Sequence, residues 1–273
     1  MVIKGHSDKE DYLSSMQNPK IKQLLNLQQK SAMRRQTGLF VVEGKREVQH
    51  CMDAGFTVET LFVTVGNSDW DSWQGQRYRV TAEVYEKIAY RGSTEGVVAV
   101  VRSRMLTLQD IPLSSHPLLM VLESVEKPGN LGAILRSADA AGADAVIVCD
   151  PLTDLYNPNL IRASLGAVFS VPCVTCTSEE CIHYLKENYI RILTAQLQDS
   201  HLYYDTDMTC PTAIVMGTES TGLTTSWREA ADAHIRIPMN GKLDSLNVSV
   251  SAAVLLYEAV RQRLTSTGCS RSS

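Results

Sequence analysis

The chain has 273 residues, 44% hydrophobic and 21% charged, which is enough apolar material for one large or two modest packed domains and too little bias for a disordered chain. Its net charge of −4 excludes a global pull on nucleic acid, so any such contact must be local. No apolar run is long enough to span a bilayer, and the polar start (Lys4, Asp8, Lys9, Glu10, Asp11) has neither the apolar core of a signal peptide nor the acid-poor character of a transit peptide.

Residues 1–15 are polar and expected to be frayed. A helix is predicted from Asn18 to Gln36, with Pro19 in its first turn after an Asn18 cap and Ile21, Leu24, Leu25 and Leu27 on its apolar side. Phe40–Val42 reads as a strand, and Glu43-Gly44 turns into a helix through Met52. Thr60–Thr64 and Tyr78–Val80 read as strands, Ala82–Ala89 as a short helix and Val97–Val101 as a strand. This alternation makes a small α/β unit over residues 1–104. Residues 105–115, with Pro112 and a Ser-Ser pair, are expected to be a linker.

The second unit, 116–273, opens with a buried strand, Leu118–Leu122. A helix follows at Leu131–Ala141, then a strand at Ala145–Cys149 and a helix at Asn159–Gly166. Further strands are predicted at Ser170–Val174, Ile190–Ala195, Ala213–Met216 and His234–Pro238, with a helix at Glu179–Lys186 and a long one at Leu246–Leu264. Strands alternating with helices imply an α/β fold with a mostly parallel, buried sheet. The seven cysteines are an odd number without a staple spacing, which points to reduced structural thiols and the cytosol. Cys173 and Cys176 form one C-x-x-C, but no second pair or nearby histidine completes it, so no metal site is expected.

Ligands of open parallel sheets bind beyond the carboxyl ends of the strands. Three post-strand segments here are rich in Gly, Asn, Ser and acid. In Lys127 to Arg136, Pro128-Gly129 forces a turn, Asn130 stands where a cap belongs and Arg136 lies off the apolar stripe of Leu131, Ile134, Leu135 and Ala138. In Met216 to Leu223, Gly217 lets a ligand approach the backbone and Glu219 offers an acceptor. In Ile237 to Ser249, Pro238 and Gly241 stiffen a loop that leads to Ser245 and Asn247 at a helix start, which suits an anion. Each segment alone also reads as ordinary capping, turn or core chemistry. Three together, after three strands, are harder to dismiss. The chain contains no G-x-G-x-x-G, no P-loop and no G-x-S-x-G, so the usual dinucleotide, nucleoside-triphosphate and nucleophile-elbow sites are excluded.

On these segments the sequence resembles the SpoU (TrmH-like) family of the knotted SPOUT methyltransferases. The likeness rests on Asn130-Leu-Gly-Ala-Ile-Leu-Arg136-Ser-Ala-Asp139, on Gly217-Thr-Glu219-Ser-Thr-Gly222-Leu223, and on Ile237-Pro-Met239 through Ser245-Leu246-Asn247-Val-Ser-Val250. Ile161 to Ala167 adds a softer match. Phe40–Gly44 and Glu95–Val100 give residues 1–104 a likeness to an L30e-like RNA substrate-binding domain. Two positions depart from the family pattern. Ser220 replaces a usual glycine, and Lys127 replaces an Asp common before the proline.

The resemblance implies a trefoil knot near the end of a catalytic domain at 116–273, a homodimer packed beside the cofactor site, and 2′-O-methylation of a ribose in structured RNA from S-adenosylmethionine. Ribosomal RNA is the expected substrate. A tRNA ribose methyltransferase and a non-catalytic RNA-binding protein on the same fold remain alternatives. It places Asn130, Arg136, Glu219, Ser245 and Asn247 at the reaction centre. Gly217, Ile237, Met239 and Leu246 fall at the cofactor, with Ala195 and Gln196 as a remaining wall. Arginine stays charged, so Arg136 is expected to hold RNA phosphate and steady the forming alkoxide rather than act as base. Lys20, Lys22, Lys30, Arg34, Arg35, Lys45 and Arg46, with Arg102 and Arg104, are expected to supply the local basic patch that RNA needs.

Overall fold

The computed structural model describes residues 11–90, 95–218, 221–242 and 245–268, in two compact units, Met1–Arg104 and Met105–Ser273. In the first unit, five strands, β1 (Asp11–Leu13), β2 (Leu39–Glu43), β3 (Val58–Thr64), β4 (Gln76–Val80) and β5 (Val97–Arg102), form a mixed sheet in the order β1-β4-β3-β5-β2. Asp11–Leu13, expected to be frayed, instead pairs in parallel with β4, because Leu13 finds a place in the core.

The helix expected over Asn18–Gln36 is two helices, α1 (Pro19–Gln29) and α2 (Ser31–Thr37), with Lys30 in extended conformation between them. Asn18 does cap α1, accepting from the Lys20 amide at 2.9 Å. The break is sustained by Arg34, whose guanidinium donates to the carbonyls of Leu27 (2.6 Å) and Gln28 (3.1 Å), groups that a continuous helix would have bonded itself. α1 and α4 (Ala82–Ile88) cover the sheet face bearing Val41, Phe62, Tyr78, Val98 and Val100. The buried Val48 and Cys51 of α3 (Lys45–Asp53) lie outside that cluster, on the side where Phe40 meets Phe56 edge to face.

Residues 105–115 are more than a linker: a 3-10 turn at Leu108–Asp110 seats Leu108 and Ile111 in the core of the second unit. That unit holds seven parallel strands, β6 (Leu118–Glu123), β7 (Ala145–Cys149), β8 (Cys173–Cys176), β9 (Arg191–Ala195), β10 (His201–Leu202), β11 (Thr212–Met216) and β12 (Ala233–Arg236). Their order is β10-β12-β9-β11-β6-β7-β8. The strands β6, β7 and β11 are buried throughout, as expected of central parallel strands read as unbroken apolar runs. β8 begins at Cys173 because Ala167–Ser170 closes a short helix, α7, after α6 (Pro158–Ser164).

The carboxyl ends of β12, β9, β11 and β6 are neighbours in this order, which brings the loops after them to one edge. Two helices lie together beside the sheet, α5 (Pro128–Ala141) and α10 (Val248–Gly268). The far part of α10 is tied down by Arg263, which donates to the carbonyls of His116 (2.7 Å), Met208 (3.0 Å) and Cys210 (3.0 Å). The opposite face carries α8 (Ser178–Glu187) and α9 (Thr225–Ala230).

A buried carboxylate joins these parts. Glu123, 3% exposed at the end of β6, accepts from the Thr224 amide (2.9 Å) and hydroxyl (2.7 Å) and from the Ser178 hydroxyl (3.3 Å), while the Trp227 indole donates to Ser178 (3.0 Å). Glu123→Ala would leave the part-buried Thr224 amide and hydroxyl without their acceptor, while the Ser178 hydroxyl keeps Asp150 at 2.6 Å. The substitution is expected to lower unfolding stability by about 2–3 kcal/mol, read as a shift in the urea midpoint. An unchanged midpoint would mean that solvent already satisfies these groups.

Candidate active site at the strand ends

A cavity of about 360 Å³ opens at the shared edge, in the size range of small-molecule sites. The loop after β9 contributes Ala195 and Gln196. The loop after β11 contributes Gly217, Thr218, Gly222 and Leu223. The loop after β12 contributes Ile237, Met239, Ser245 and Leu246, and α10 closes the floor with Val248, Ser251 and Leu255. All six residues expected around a cofactor thus line one cavity, and so does Ser245 from the expected reaction centre.

The loop after β11 folds back on itself. Thr218 and Gly222 form a β-bridge, the Gly222 amide donates to Thr218 O (3.1 Å), and Thr218 Oγ1 accepts from the Thr221 amide (3.0 Å). Gly222 takes the left-handed conformation at φ 67°. Gly217 has a different reason to be glycine. A Cβ there would overlap the carbonyl group of Gly222 and stand 2.6 Å from the Leu223 nitrogen. Glu219 and the departure at Ser220 lie outside the described residues.

A smaller cavity of about 180 Å³ adjoins the first, with Gly217, Thr218 and Val248 common to both and Lys127 and Asn130 on its other wall. Asn130 is not the cap of α5. Pro128 starts the helix, Lys127 holds the cap position without a side-chain cap bond, and Asn130 sits in the first turn. Its Oδ1 accepts from Asn247 Nδ2 at 3.2 Å, which bonds the first segment to the third. Asn247 also caps α10, its Oδ1 accepting from the Ser249 amide (3.0 Å) and hydroxyl (2.6 Å). Arg136 is exposed about two turns into α5 and lines neither cavity.

Sequence reasoning missed Arg228 and Arg236, which also line the larger cavity. It named Gln196 only as wall. The Gln196 amide is oriented by its Nε2, which donates to Gln198 O at 2.9 Å, and its Oε1 is then buried with no hydrogen-bond partner among the described residues. Such an atom marks a place where a ligand donor belongs.

The basic residues of the first unit do not form one surface. Arg34 is 5% exposed and engaged at the helix break, so it is withdrawn from the expected RNA contacts. Lys20, Lys22 and Arg35 are exposed on α1 and α2, whereas Lys45 and Arg46 are exposed on α3 across the sheet. Lys45 pairs with Asp69 at 2.9 Å, Arg102 pairs with Glu59, and Arg104 lies 4.4 Å over the Phe56 ring.

Fold and site together define a parallel α/β protein that gathers a small-molecule pocket from the loops after β9, β11 and β12, with a second cleft against α5. The chain belongs to the SpoU rRNA Methylase family, which it matches over residues 117–257; residues 18–99 match the MRM3-like substrate binding domain. It is 32% identical over 249 residues to a 23S rRNA (uridine(2479)-2'-O)-methyltransferase of Streptomyces viridochromogenes, covering 85% of each chain. It is 38% identical over 192 residues to the 23S rRNA (guanosine-2'-O-)-methyltransferase RlmB of Vibrio parahaemolyticus, covering 68% of this chain and 78% of that one. Among solved structures, the SpoU methyltransferase AviRb of S. viridochromogenes in complex with AdoMet superposes with a TM-score of 0.84 at 30% identity, over 91% of this chain and 100% of that one.

Proposed function

We propose that this chain methylates a ribose 2′-oxygen of ribosomal RNA from S-adenosylmethionine. The observation that carries the reading is the convergence of three sequence-distant segments on two adjoining cavities, joined by the Asn130–Asn247 bond. The relatives described above are named as rRNA 2′-O-methyltransferases, and the AviRb structure holds AdoMet, which supports the assignment of substrate and cofactor.

S-adenosylmethionine, bound in the larger cavity, supplies the methyl group. Gly217, Ile237 and Leu246 present backbone to its adenosine, Met239 and Ala195 give apolar contact, and Arg228 and Arg236 suit its carboxylate. Gln196 Oε1 accepts a hydrogen bond from it. The smaller cavity takes the target ribose. Asn130, steadied by Asn247, orients the sugar, and Ser245 borders the reacting atoms; Glu219, outside the described residues, is assigned to the same reaction; Arg136, which lines neither cavity of the single chain, binds the adjacent phosphate and stabilises negative charge on the 2′-oxygen once RNA is bound. A hydroxyl is a poor nucleophile at neutral pH, and its proton passes to a phosphate oxygen or water. Lys20, Lys22 and Arg35, with Lys45 and Arg46 on the other face, make backbone contacts to RNA, so residues 1–104 serve substrate binding. This reading places the protein in the cytoplasm and includes the trefoil knot that the family resemblance implies near the end of the catalytic unit.

It also includes a homodimer through the catalytic unit. Val250, Tyr257 and Leu264 recur every seventh residue on α10 and are 48%, 50% and 69% exposed, an apolar stripe on the helix that floors the larger cavity. Tyr257→Glu is expected to shift the protein from dimer to monomer in sedimentation equilibrium; a dimer of unchanged affinity would place the contact elsewhere.

The test is a transfer assay with labelled S-adenosylmethionine and ribosomal RNA, followed by mapping of the modified ribose. Label in a 2′-O-methyl group supports the reading; a protein that binds cofactor but leaves RNA unlabelled sinks it. Gln196→Leu gives a finer check. It removes a buried unpaired acceptor, so the empty protein should be no less stable, while cofactor affinity falls roughly threefold to tenfold in calorimetry. Equal affinity would remove Gln196 from the binding set.

A further inference from the structure

A cluster unused by this chemistry lies on the far face of the same sheet. Cys149 ends β7, Cys176 ends β8, and Cys181 stands in the first half of α8. β7 and β8 are parallel and place Cys149 opposite Cys176 in register. Their sulfurs are 4.0 Å apart, and all three Sγ atoms lie within 4.8 Å of one another. Cys149 and Cys181 are buried, whereas Cys176 is half-buried and gives the group access to solvent. None of the three is in a disulfide.

The distances fit a shared ion. Thiolates on zinc stand about 2.3 Å from the metal in a tetrahedron, so neighbouring sulfurs are about 3.8 Å apart. One pair is already near that separation, and the others need to close by less than about 1 Å. The local field is acidic. Asp150 follows Cys149, Glu180 precedes Cys181, and the Glu123 carboxylate is the residue of β6 in register with Cys149. These carboxylates have their own partners: Asp150 accepts from the Ser178 hydroxyl (2.6 Å) and Glu180 from Thr177 (2.8 Å to its amide). They attract a cation without competing as ligands.

We propose that Cys149, Cys176 and Cys181 form a three-thiolate site for a thiophilic d10 cation of the zinc class, with water as the fourth ligand beside Cys176. Binding forms three metal–sulfur bonds and releases the remaining thiol protons to solvent. The group is not the C-x-x-C pair, from which no metal site is expected: Cys173 is three residues from Cys176 on an alternating strand and is not in the cluster. The site packs under α8 and α9, on the face opposite α5 and α10, so its role is to brace the strand ends rather than to join methyl transfer.

The test uses the full chain, reduced and stripped of metal, then titrated with Zn(II) and, as a spectroscopic probe, Co(II). One equivalent should remain after gel filtration, and the cobalt form should show thiolate-to-cobalt charge-transfer absorption. Cys176→Ser, the substitution least disturbing to the core, should weaken retention by more than the roughly 10–100-fold that loss of an outer-shell partner costs. Cys149→Ser and Cys181→Ser should do the same, and Cys173→Ser should not. Circular dichroism and S-adenosylmethionine binding report whether each variant has folded, and neither readout depends on the metal. Absence of retained metal, absence of the charge-transfer band, or retention that depends on Cys173 would each overturn the assignment.

Discussion

Gly217→Ala is expected to fold and to lose S-adenosylmethionine affinity by about 10–100-fold. The single added methyl has nowhere to go, because it meets the Gly222 carbonyl and the Leu223 nitrogen, both backbone. Overpacking of this kind costs about 1–3 kcal/mol, and each 1.4 kcal/mol is about tenfold in affinity. The loop itself decides where that cost appears. Thr218, Thr221 and Gly222 are bonded to one another by the bridge and the turn, so opening that bridge relieves the clash without unfolding the sheet. An opened bridge carries Thr218 and Gly222 out of the cavity wall. Calorimetric titration should show the loss, with a melting temperature near that of the parent. Gly129→Ala is the matched control: a Cβ there meets nothing within 4 Å and sits in the first turn of a helix, where alanine is favoured. If both variants bind cofactor like the parent, the tight turn has no part in binding.

The sheet could be read from the chain because its central strands are unambiguous. Leu118–Leu122, Ala145–Cys149 and Ala213–Met216 are unbroken apolar runs of strand length between turn residues, and the structure buries each of them throughout. The three site segments were readable for a related reason, since each combines turn residues with polar groups at a strand end. Features set by tertiary contact were not readable. Nothing around Lys30 breaks a helix; the break persists because Arg34 reaches back to Leu27 and Gln28. Asn130 stands where a cap belongs by composition, but the proline's fixed φ starts α5 two residues earlier, at Pro128. The six residues of α9 and the two of β10 are too short to show a period. Which residues come to line the cavity, as Gln196, Arg228 and Arg236 do, depends on tertiary arrangement rather than spacing. The pairing of Cys149 with Cys176 follows from strand register across 27 residues.

Arg136 carries the largest expected catalytic effect. Arg136→Ala should leave stability within about 0.5 kcal/mol, because the side chain is exposed. Cofactor affinity should also hold, because Arg136 does not line the larger cavity. Turnover should fall by about 10²–10³-fold, the usual loss when a donor aimed at developing negative charge is removed. Arg136→Lys separates charge from geometry. Lysine keeps the positive charge and so part of the RNA affinity, but it lacks the planar fork that can bind phosphate and alkoxide together, and its turnover should stay close to that of the alanine variant. The pH dependence distinguishes this role from general-base action. Arginine remains ionised throughout the working range, so neither substitution should remove a limb from the rate profile. Loss of a limb would make Arg136, or a group it controls, the proton acceptor. Near-normal turnover in either variant would take Arg136 out of the reaction altogether and leave the ribose oriented by Asn130 and Asn247 alone.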